Sequence, residues 1–146
     1  MAFFDGAAAA STGGAGACLW LNDQHYFSIT LGCGPNTNTR AELLALWALL
    51  SFAKDIGLPY LYVFGDSSMI INWVNGESSL NMGNLEAWCY NTKMLISSFT
   101  HVEFSHVYRE YNKREDTLSK AGLKEAASYL TLFEICEGEA LEEVRI

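Results

Sequence analysis

At 146 residues the chain is long enough for one domain with its own hydrophobic core. Half of the residues are hydrophobic, which excludes a disordered chain, and no apolar run is long enough to span a membrane. The start MAFFDG lacks the basic residues and cleavage site of a signal peptide, so we expect an intracellular protein, in the nucleus or the cytoplasm. The four cysteines contain no CxxC pair, which argues against a zinc site and a disulfide framework.

The formal net charge of −8 argues against a nucleic-acid partner, whose phosphates attract lysine and arginine. The acidic charge is concentrated in residues 134–146, which hold five of the 17 acids and one of the nine bases. The acidity is therefore largely a property of the C-terminal tail. A local basic stripe remains in the rest of the chain. It consists of Arg109, Lys113, Arg114, Lys120 and Lys124.

Three strands are predicted before any helix. The first is a short apolar run that ends at an Asp-Gly pair, and residues 7–14, rich in Ala, Gly, Ser and Thr, are predicted as a turn. Residues 15–21 and 26–32 form a predicted hairpin. A long apolar helix follows the capping residues 36–38 and ends before Gly57.

Strands and helices alternate in the second half of the chain. The pattern predicts strands over residues 60–64 and 102–108 and helices over residues 67–74, 85–99 and 113–129. The strand at 60–64 is uniformly apolar, which is typical of a strand covered on both faces. The order βββαβααβα indicates an α/β domain whose later strands are parallel, because helical crossovers connect them.

Four carboxylates stand out by their position: Asp5, Glu42, Asp66 and Asp116. Asp5 and Asp66 end strands, where sites form in open α/β sheets. Each of three has an ordinary alternative. Asp5-Gly6 is a common turn pair, Asp66 is placed to cap a helix, and Asp116 lies in the first turn of the last helix, where the helix dipole favours an acid.

Glu42 has no such ordinary explanation. Every other residue from 41 to 50 is Ala, Leu or Trp. A carboxylate in such a run either emerges at an edge or is buried against a cation, and Arg40, two residues away, points elsewhere. A metal ion that gathers several carboxylates would explain all four placements. Oxygen ligands without clustered Cys or His favour Mg²⁺ or Mn²⁺, and carboxylate clusters with two such ions hydrolyse phosphodiesters.

Five motifs, in this order, resemble type I ribonuclease H: FFDGA, GGAGACLWL, TNTRAELLAL, VFGDSSMIINWVNG and HVYREYNKREDTLSK. The resemblance covers residues 2 to about 128. It implies an RNase H-like fold, a mixed sheet of order 3-2-1-4-5 flanked by helices, with strands 1–3 antiparallel and strands 4 and 5 parallel to strand 1. It also implies an endonuclease that cuts the RNA strand of RNA/DNA hybrids, leaves 5′-phosphate and 3′-hydroxyl ends, and uses two Mg²⁺ ions, with Mn²⁺ as a substitute.

Residue by residue, the resemblance makes Asp5, Glu42, Asp66 and Asp116 the catalytic, metal-binding acids. Glu42 would also contact a ribose 2′-hydroxyl, by which a protein distinguishes RNA from DNA. His106 corresponds to a histidine that helps product release in many members, and a buried core histidine is the alternative. Substrate contacts are expected from neighbouring residues, namely Gly6, Thr37, Asn38, Arg40, Ser67, Ser68 and Asn112.

Residues 77–84 contain no base, whereas members with a basic handle are lysine-rich in this region. The chain is more similar to the handle-less branch of archaea-like enzymes and plant reverse-transcriptase polyproteins. We expect a monomer that binds RNA/DNA hybrids and no membrane, either alone or in a reverse transcriptase polyprotein. The alternative function is a catalytically weak or inert nucleic-acid-binding module of such a polyprotein, and the four intact acids favour the enzyme.

The resemblance divides the chain into a catalytic domain, residues 1–128, and an acidic extension, residues 129–146, of unknown role. An extra helix, a dimer contact and a remnant of a longer chain remain open for the extension. A nuclease or integrase of the same fold that acts on DNA is disfavoured by the TRAEL helix and the HVYREYNKRED ending.

Overall fold

The computed structural model describes residues 1–9, 12–22, 24–34, 38–77, 86–108, 130–136 and 139–145. Within these residues the chain forms seven strands and three helices. In chain order they are β1 (Ala2–Ala9), β2 (Thr12–Asn22), β3 (His25–Gly34), α1 (Asn38–Asp55), β4 (Tyr60–Gly65), α2 (Ser68–Val74), α3 (Glu86–Ser97), β5 (His101–His106), β6 (Leu130–Cys136) and β7 (Glu139–Arg145).

The strands form a single mixed sheet in the order β5-β4-β1-β2-β3-β6-β7. β1, β2 and β3 pair antiparallel, whereas β4 is parallel to β1 and β5 is parallel to β4. The predicted order and directions of the first five strands are confirmed. The acidic extension adds two strands that the sequence did not predict, because β6 pairs antiparallel with β3 and β7 with β6.

β1 and β2 extend well beyond the predicted strands. The Asp-Gly pair lies inside β1, where Gly6 pairs with Ala15, and the pairing continues to Ala9 opposite Thr12. The prediction of a turn over residues 7–14 is therefore wrong at residues 7–9 and 12–14. Small residues have low strand propensity, but hydrogen bonding to the neighbouring strand overrides this weak local preference.

α1 ends as its sequence predicts. Gly57 adopts a left-handed conformation, with φ of 80°, which glycine accepts without steric cost. Its N–H donates to the Lys54 carbonyl at 3.0 Å, and the Leu58 N–H donates to the Ala53 carbonyl at 3.1 Å. These two hydrogen bonds satisfy carbonyls that the end of the helix leaves without an intrahelical partner.

The core lies between α1 and one face of the sheet. Leu43, Leu46 and Leu50 of α1 are fully buried. β4 contributes Leu61 and Val63 from alternate positions. Burying such side chains stabilises the fold by roughly 1.5–3 kcal/mol each, before conformational entropy is counted.

The expectation that both faces of β4 are covered is wrong. Tyr60 and Tyr62 are 60% and 49% exposed, so β4 alternates between a buried and an exposed face. A tyrosine tolerates an exposed position because its hydroxyl is hydrated. Its apolar ring nevertheless makes the sequence of β4 look uniformly apolar.

α2 and α3 match their predicted positions within a few residues, and the predicted last helix, residues 113–129, lies outside the described residues. No helix among the described residues is both long and apolar enough to cross a membrane.

Candidate active site

The register of the central strands places Asp5 and Asp66 side by side. β1 and β4 are parallel, and Phe4 pairs with Gly65 in the last registered position between them. Asp5 directly follows Phe4 in β1, and Asp66 directly follows Gly65 at the carboxyl end of β4. This is the edge at which open α/β sheets form their sites.

Gly6 brings α1 against β1 at the same point. A Cβ on Gly6 would lie 2.7 Å from the Glu42 Cα and still closer to the Glu42 backbone nitrogen. Real Cβ atoms do not approach other backbone atoms this closely, so only glycine permits the contact. The interpretation of Asp5-Gly6 as a turn pair is therefore wrong, since the glycine serves a strand-to-helix contact.

The carboxylates of Asp5, Glu42 and Asp66 converge as a result. One oxygen of each can be chosen so that all three lie within 4.8 Å of one another. Asp5 is 3% exposed, and Glu42 and Asp66 are half-buried. Three carboxylates at this separation repel one another unless a cation lies between them, and hard carboxylate oxygens suit Mg²⁺ or Mn²⁺. The donor set therefore fits the metal that the sequence predicts.

The fourth predicted acid, Asp116, lies outside the described residues. The same holds for Thr37 and Asn112. Asn38 is the first residue of α1, and its side chain is not among the described ones. The predicted roles of these four residues remain predictions.

The segment after β4 is fixed on both sides of Asp66. A Cβ on Gly65 would lie 2.6 Å from the ring of Phe4, which is buried, so the end of β4 also requires glycine. Ser67 caps α2, because its side chain accepts a hydrogen bond from the Ile70 N–H at 3.3 Å. The capping role considered for Asp66 thus belongs to Ser67, which leaves the Asp66 carboxylate in the acid cluster.

His106 is exposed, so the alternative of a buried core histidine is wrong. Its Nε2 lies 3.2 Å from the main-chain oxygen of Asp66. Phe104, two residues earlier in β5 and therefore on the same face of the strand, is buried. The two differ because His106 is the last residue of β5, at the rim of the sheet.

Two further predicted residues, Arg40 and Ser68, lie in the first turns of α1 and α2. Arg40 donates from Nη1 to the Cys33 carbonyl at 3.1 Å, and this hydrogen bond ties the start of α1 to β3. Ser68 is exposed at the first turn of α2, on the residue next to the Ser67 cap. Their predicted contacts with substrate remain predictions.

Sequence reasoning missed two residues that support the site. Gly65 has no predicted role, and Asn75 is predicted only to end the helix over residues 67–74. Asn75 donates from Nδ2 to the Phe104 carbonyl at 3.2 Å and so ties the end of α2 to β5. The signal for Asn75 was its position at the end of a predicted helix, but the partner strand was not visible locally.

Comparisons with known proteins agree with this architecture. Residues 3–122 match the model of the reverse transcriptase-like family. Ribonuclease HI of Halobacterium salinarum is 30% identical over 128 residues, which make up 86% of this chain and 64% of that protein. The chain thus spans less than two thirds of this curated relative.

Solved structures show the same fold. The crystal structure of RNase H1 from the halophilic archaeon Halobacterium salinarum NRC-1 is similar with a TM-score of 0.71 and 27% identity, over 86% of this chain and 97% of that one. LC11-RNase H1, solved in complex with an RNA/DNA hybrid, is similar with a TM-score of 0.73 and 21% identity, over 84% of this chain and 94% of that one. Since the family model covers most of the chain, the protein belongs to the reverse transcriptase-like family.

Proposed function

We propose that the protein is a ribonuclease H, an endonuclease that hydrolyses the RNA strand of RNA/DNA hybrids and leaves 5′-phosphate and 3′-hydroxyl ends. The observation that carries the proposal is the convergence of Asp5, Glu42 and Asp66 at one edge of the sheet. Three carboxylates this close together, one buried and two half-buried, are costly to fold without a cation between them. Their place in a ribonuclease HI-like fold gives them a chemical purpose.

The proposed cofactor is a pair of Mg²⁺ ions, with Mn²⁺ as a substitute. Asp5, Glu42 and Asp66 would hold the metal, with Asp116 as the fourth predicted ligand. Bound divalent ions supply an activated water and neutralise charge on the leaving oxygen in phosphodiester hydrolysis. The chain itself holds three ligands at fixed separations, because β1, β4 and α1 are packed against one another at Gly6 and Gly65.

The proposed substrate is an RNA/DNA hybrid. LC11-RNase H1, which shares the fold, was solved with such a hybrid bound. In this chain Glu42 lies half-buried beside the cluster, where it would meet a ribose 2′-hydroxyl of the RNA strand. The predicted contacts of Ser67 and Ser68 would then lie at the start of α2.

The proposed setting is intracellular, as a monomer, either free or as one domain of a reverse transcriptase polyprotein. The description of the matching family supports the polyprotein. The foamy viral protease-reverse transcriptase, solved with double-stranded DNA, shares the fold with a TM-score of 0.64 at 19% identity.

The test is a cleavage assay with end-labelled RNA/DNA hybrid, duplex RNA and duplex DNA, each with Mg²⁺, with Mn²⁺ and with EDTA. Asp66→Asn replaces the carboxylate by a neutral amide of nearly the same volume, so it removes the negative charge and one ligand oxygen. Asp55→Asn is the matched control, since Asp55 is an exposed acid at the far end of α1. We expect metal-dependent cuts confined to the RNA of the hybrid, lost in Asp66→Asn and retained in Asp55→Asn.

Other outcomes would contradict the proposal. Hybrid binding without cleavage under any metal condition would support the inert binding module instead. Cleavage that survives in Asp66→Asn, or that persists in EDTA, would show that the acid cluster is not the catalytic centre. Cleavage of duplex DNA would indicate a DNA nuclease of the same fold.

A further inference from the structure

The contact between β5 and the residue after β4 assigns a role to His106. His106 Nε2 lies 3.2 Å from the main-chain oxygen of Asp66. A carbonyl oxygen only accepts hydrogen bonds, so Nε2 carries the proton and donates it. Resting on the proposed function, we propose that His106 is a positioning residue that holds the Asp66 main chain and thereby keeps the Asp66 carboxylate in the metal site.

The end of β5 is well placed for this role. β4 and β5 are parallel, and His106 is registered with Gly65. The Val107 N–H donates to the Gly65 carbonyl at 2.9 Å, which continues the pairing beyond the last residue of β5. The His106 side chain then reaches one residue beyond Gly65, to the main chain of Asp66. Two successive carbonyls, of Gly65 and Asp66, are therefore held by the last residue of β5 and the residue that follows it.

The part of β5 next to His106 is itself held in place. Phe104 is buried, and its carbonyl accepts the hydrogen bond from Asn75 at 3.2 Å. The Tyr108 ring packs edge-on against the His106 ring, with ring centroids 6.0 Å apart and an interplanar angle of 83°. An edge-to-face pair at this distance is favourable and stabilises the imidazole in this orientation. The donor therefore stays aimed at the Asp66 carbonyl.

The carbonyl matters because it sets the path of the chain from Asp66 into α2. The Asp66 peptide is followed at once by Ser67, the cap of α2, so few residues separate the end of the sheet from the helix. Holding this peptide restricts the backbone torsions of Asp66, and the carboxylate direction follows from them. Residues that orient a metal ligand raise metal affinity without touching the metal. A role in product release would require a contact with nucleic acid and would leave metal affinity unchanged.

The test compares His106→Ala, His106→Gln and His106→Asn in the full chain. A glutamine amide nitrogen occupies nearly the position of Nε2 and can donate the same hydrogen bond, whereas the shorter asparagine cannot reach it. His101→Ala is the matched control, because His101 is an exposed histidine at the other end of β5, 3.2 Å from Glu103. The readouts are Mn²⁺ affinity by titration calorimetry without nucleic acid, kcat and KM on RNA/DNA hybrid, and Tm.

We expect His106→Ala and His106→Asn to bind Mn²⁺ about 3- to 10-fold more weakly, the effect of one lost hydrogen bond, and to lose cleavage activity in parallel. His106→Gln should recover most of both, and His101→Ala should match the unmodified protein. Unchanged Mn²⁺ affinity in His106→Ala, or no recovery in His106→Gln, would overturn the inference even if the protein cleaves hybrids. An unmodified protein that binds Mn²⁺ but cleaves nothing would refute the proposed function alone, and one that binds no Mn²⁺ would overturn both.

Discussion

Replacing Gly6 with alanine tests whether the close contact between β1 and α1 sets the geometry of the acid cluster. The added Cβ would lie 2.7 Å from the Glu42 Cα, whereas carbon atoms in ordinary contact are about 3.5–4.0 Å apart. The neighbouring atoms belong to helix backbone, which cannot rotate away as a side chain can. α1 would therefore have to move from β1 by about 1 Å.

This displacement has two separable costs. Overpacking a close contact lowers the free energy of unfolding by about 1–3 kcal/mol. α1 cannot move freely, because Leu43 and Leu46 on its buried side are fully enclosed by the core. Glu42 moves with the helix, and a site of this kind tolerates only about 0.5 Å of displacement. We expect Mn²⁺ affinity to fall about 10- to 100-fold although every metal ligand is still present.

The assay is urea unfolding without metal, combined with Mn²⁺ titration of the folded protein. Gly57→Ala is the control, since Gly57 adopts a φ of 80° with nothing within 4 Å of an added Cβ. Alanine in this left-handed conformation costs about 1–2 kcal/mol, far from the acids. It should lower stability as Gly6→Ala does and leave Mn²⁺ affinity unchanged. Equal Mn²⁺ affinities for all three proteins, or a Gly6→Ala variant within about 0.5 kcal/mol of the unmodified one, would refute the reasoning.

Three further perturbations follow from the structure. Glu42→Gln should abolish hybrid cleavage in the cleavage assay. Urea unfolding without metal should give a free energy of unfolding equal to or higher than that of the unmodified protein, because the change removes one of three repelling charges. Leu132→Ala should lower the free energy of unfolding by about 2–5 kcal/mol, since Leu132 of β6 is 3% exposed in the core. Burial raises the pKa of the Cys89 thiol. Two nearby charges have smaller effects on this pKa: Lys93 lowers it and Glu86 raises it. Iodoacetamide should therefore react with Cys89 more slowly than with a free thiol at neutral pH, faster in Glu86→Gln and more slowly in Lys93→Met.

Each of these has its own control. For Glu42→Gln it is Glu103→Gln, an exposed acid on β5, and a large loss of stability at Glu42 would indicate a buried ion pair. Unchanged unfolding of Leu132→Ala would exclude β6 from the core. The alkylation is measured in a Cys136→Ser background, where Cys18 and Cys33 are buried, and equal rates in both charge variants would contradict the assigned cause of the shift.

The parts of the fold that the sequence predicted correctly have local causes. α1 ends where it should because Gly57 and the residue pattern around it encode the last turn. The parallel strands follow from the helical crossovers between them. Glu42 was identified because an acid inside an apolar helix is costly without a partner, whereas Asp5 and Asp66 were assigned through the resemblance to type I ribonuclease H.

The parts that the sequence did not predict depend on contacts between distant segments. An Asp-Gly pair fits a turn and a close backbone contact equally well, and only the position of α1 decides between them. β6 is mostly apolar, but its partner β3 lies about a hundred residues earlier in the chain, and local propensity does not specify such a pairing. His25 of β3 and Glu134 of β6 form a 2.9 Å contact across this pair, and neither residue indicates the other in the sequence.

The acid cluster depends on two glycines as much as on its ligands. Gly6 sets the distance between β1 and α1, and hence between Asp5 and Glu42. Gly65 sets the packing of β4 on Phe4, and hence the distance between Asp5 and Asp66. Changing an acid removes a ligand and a repelling charge, so metal binding falls while the metal-free fold stays intact. Changing either glycine keeps all ligands but misplaces one, so metal binding and stability fall together. These opposite stability effects separate a residue that binds the metal from one that sets the distance between its ligands.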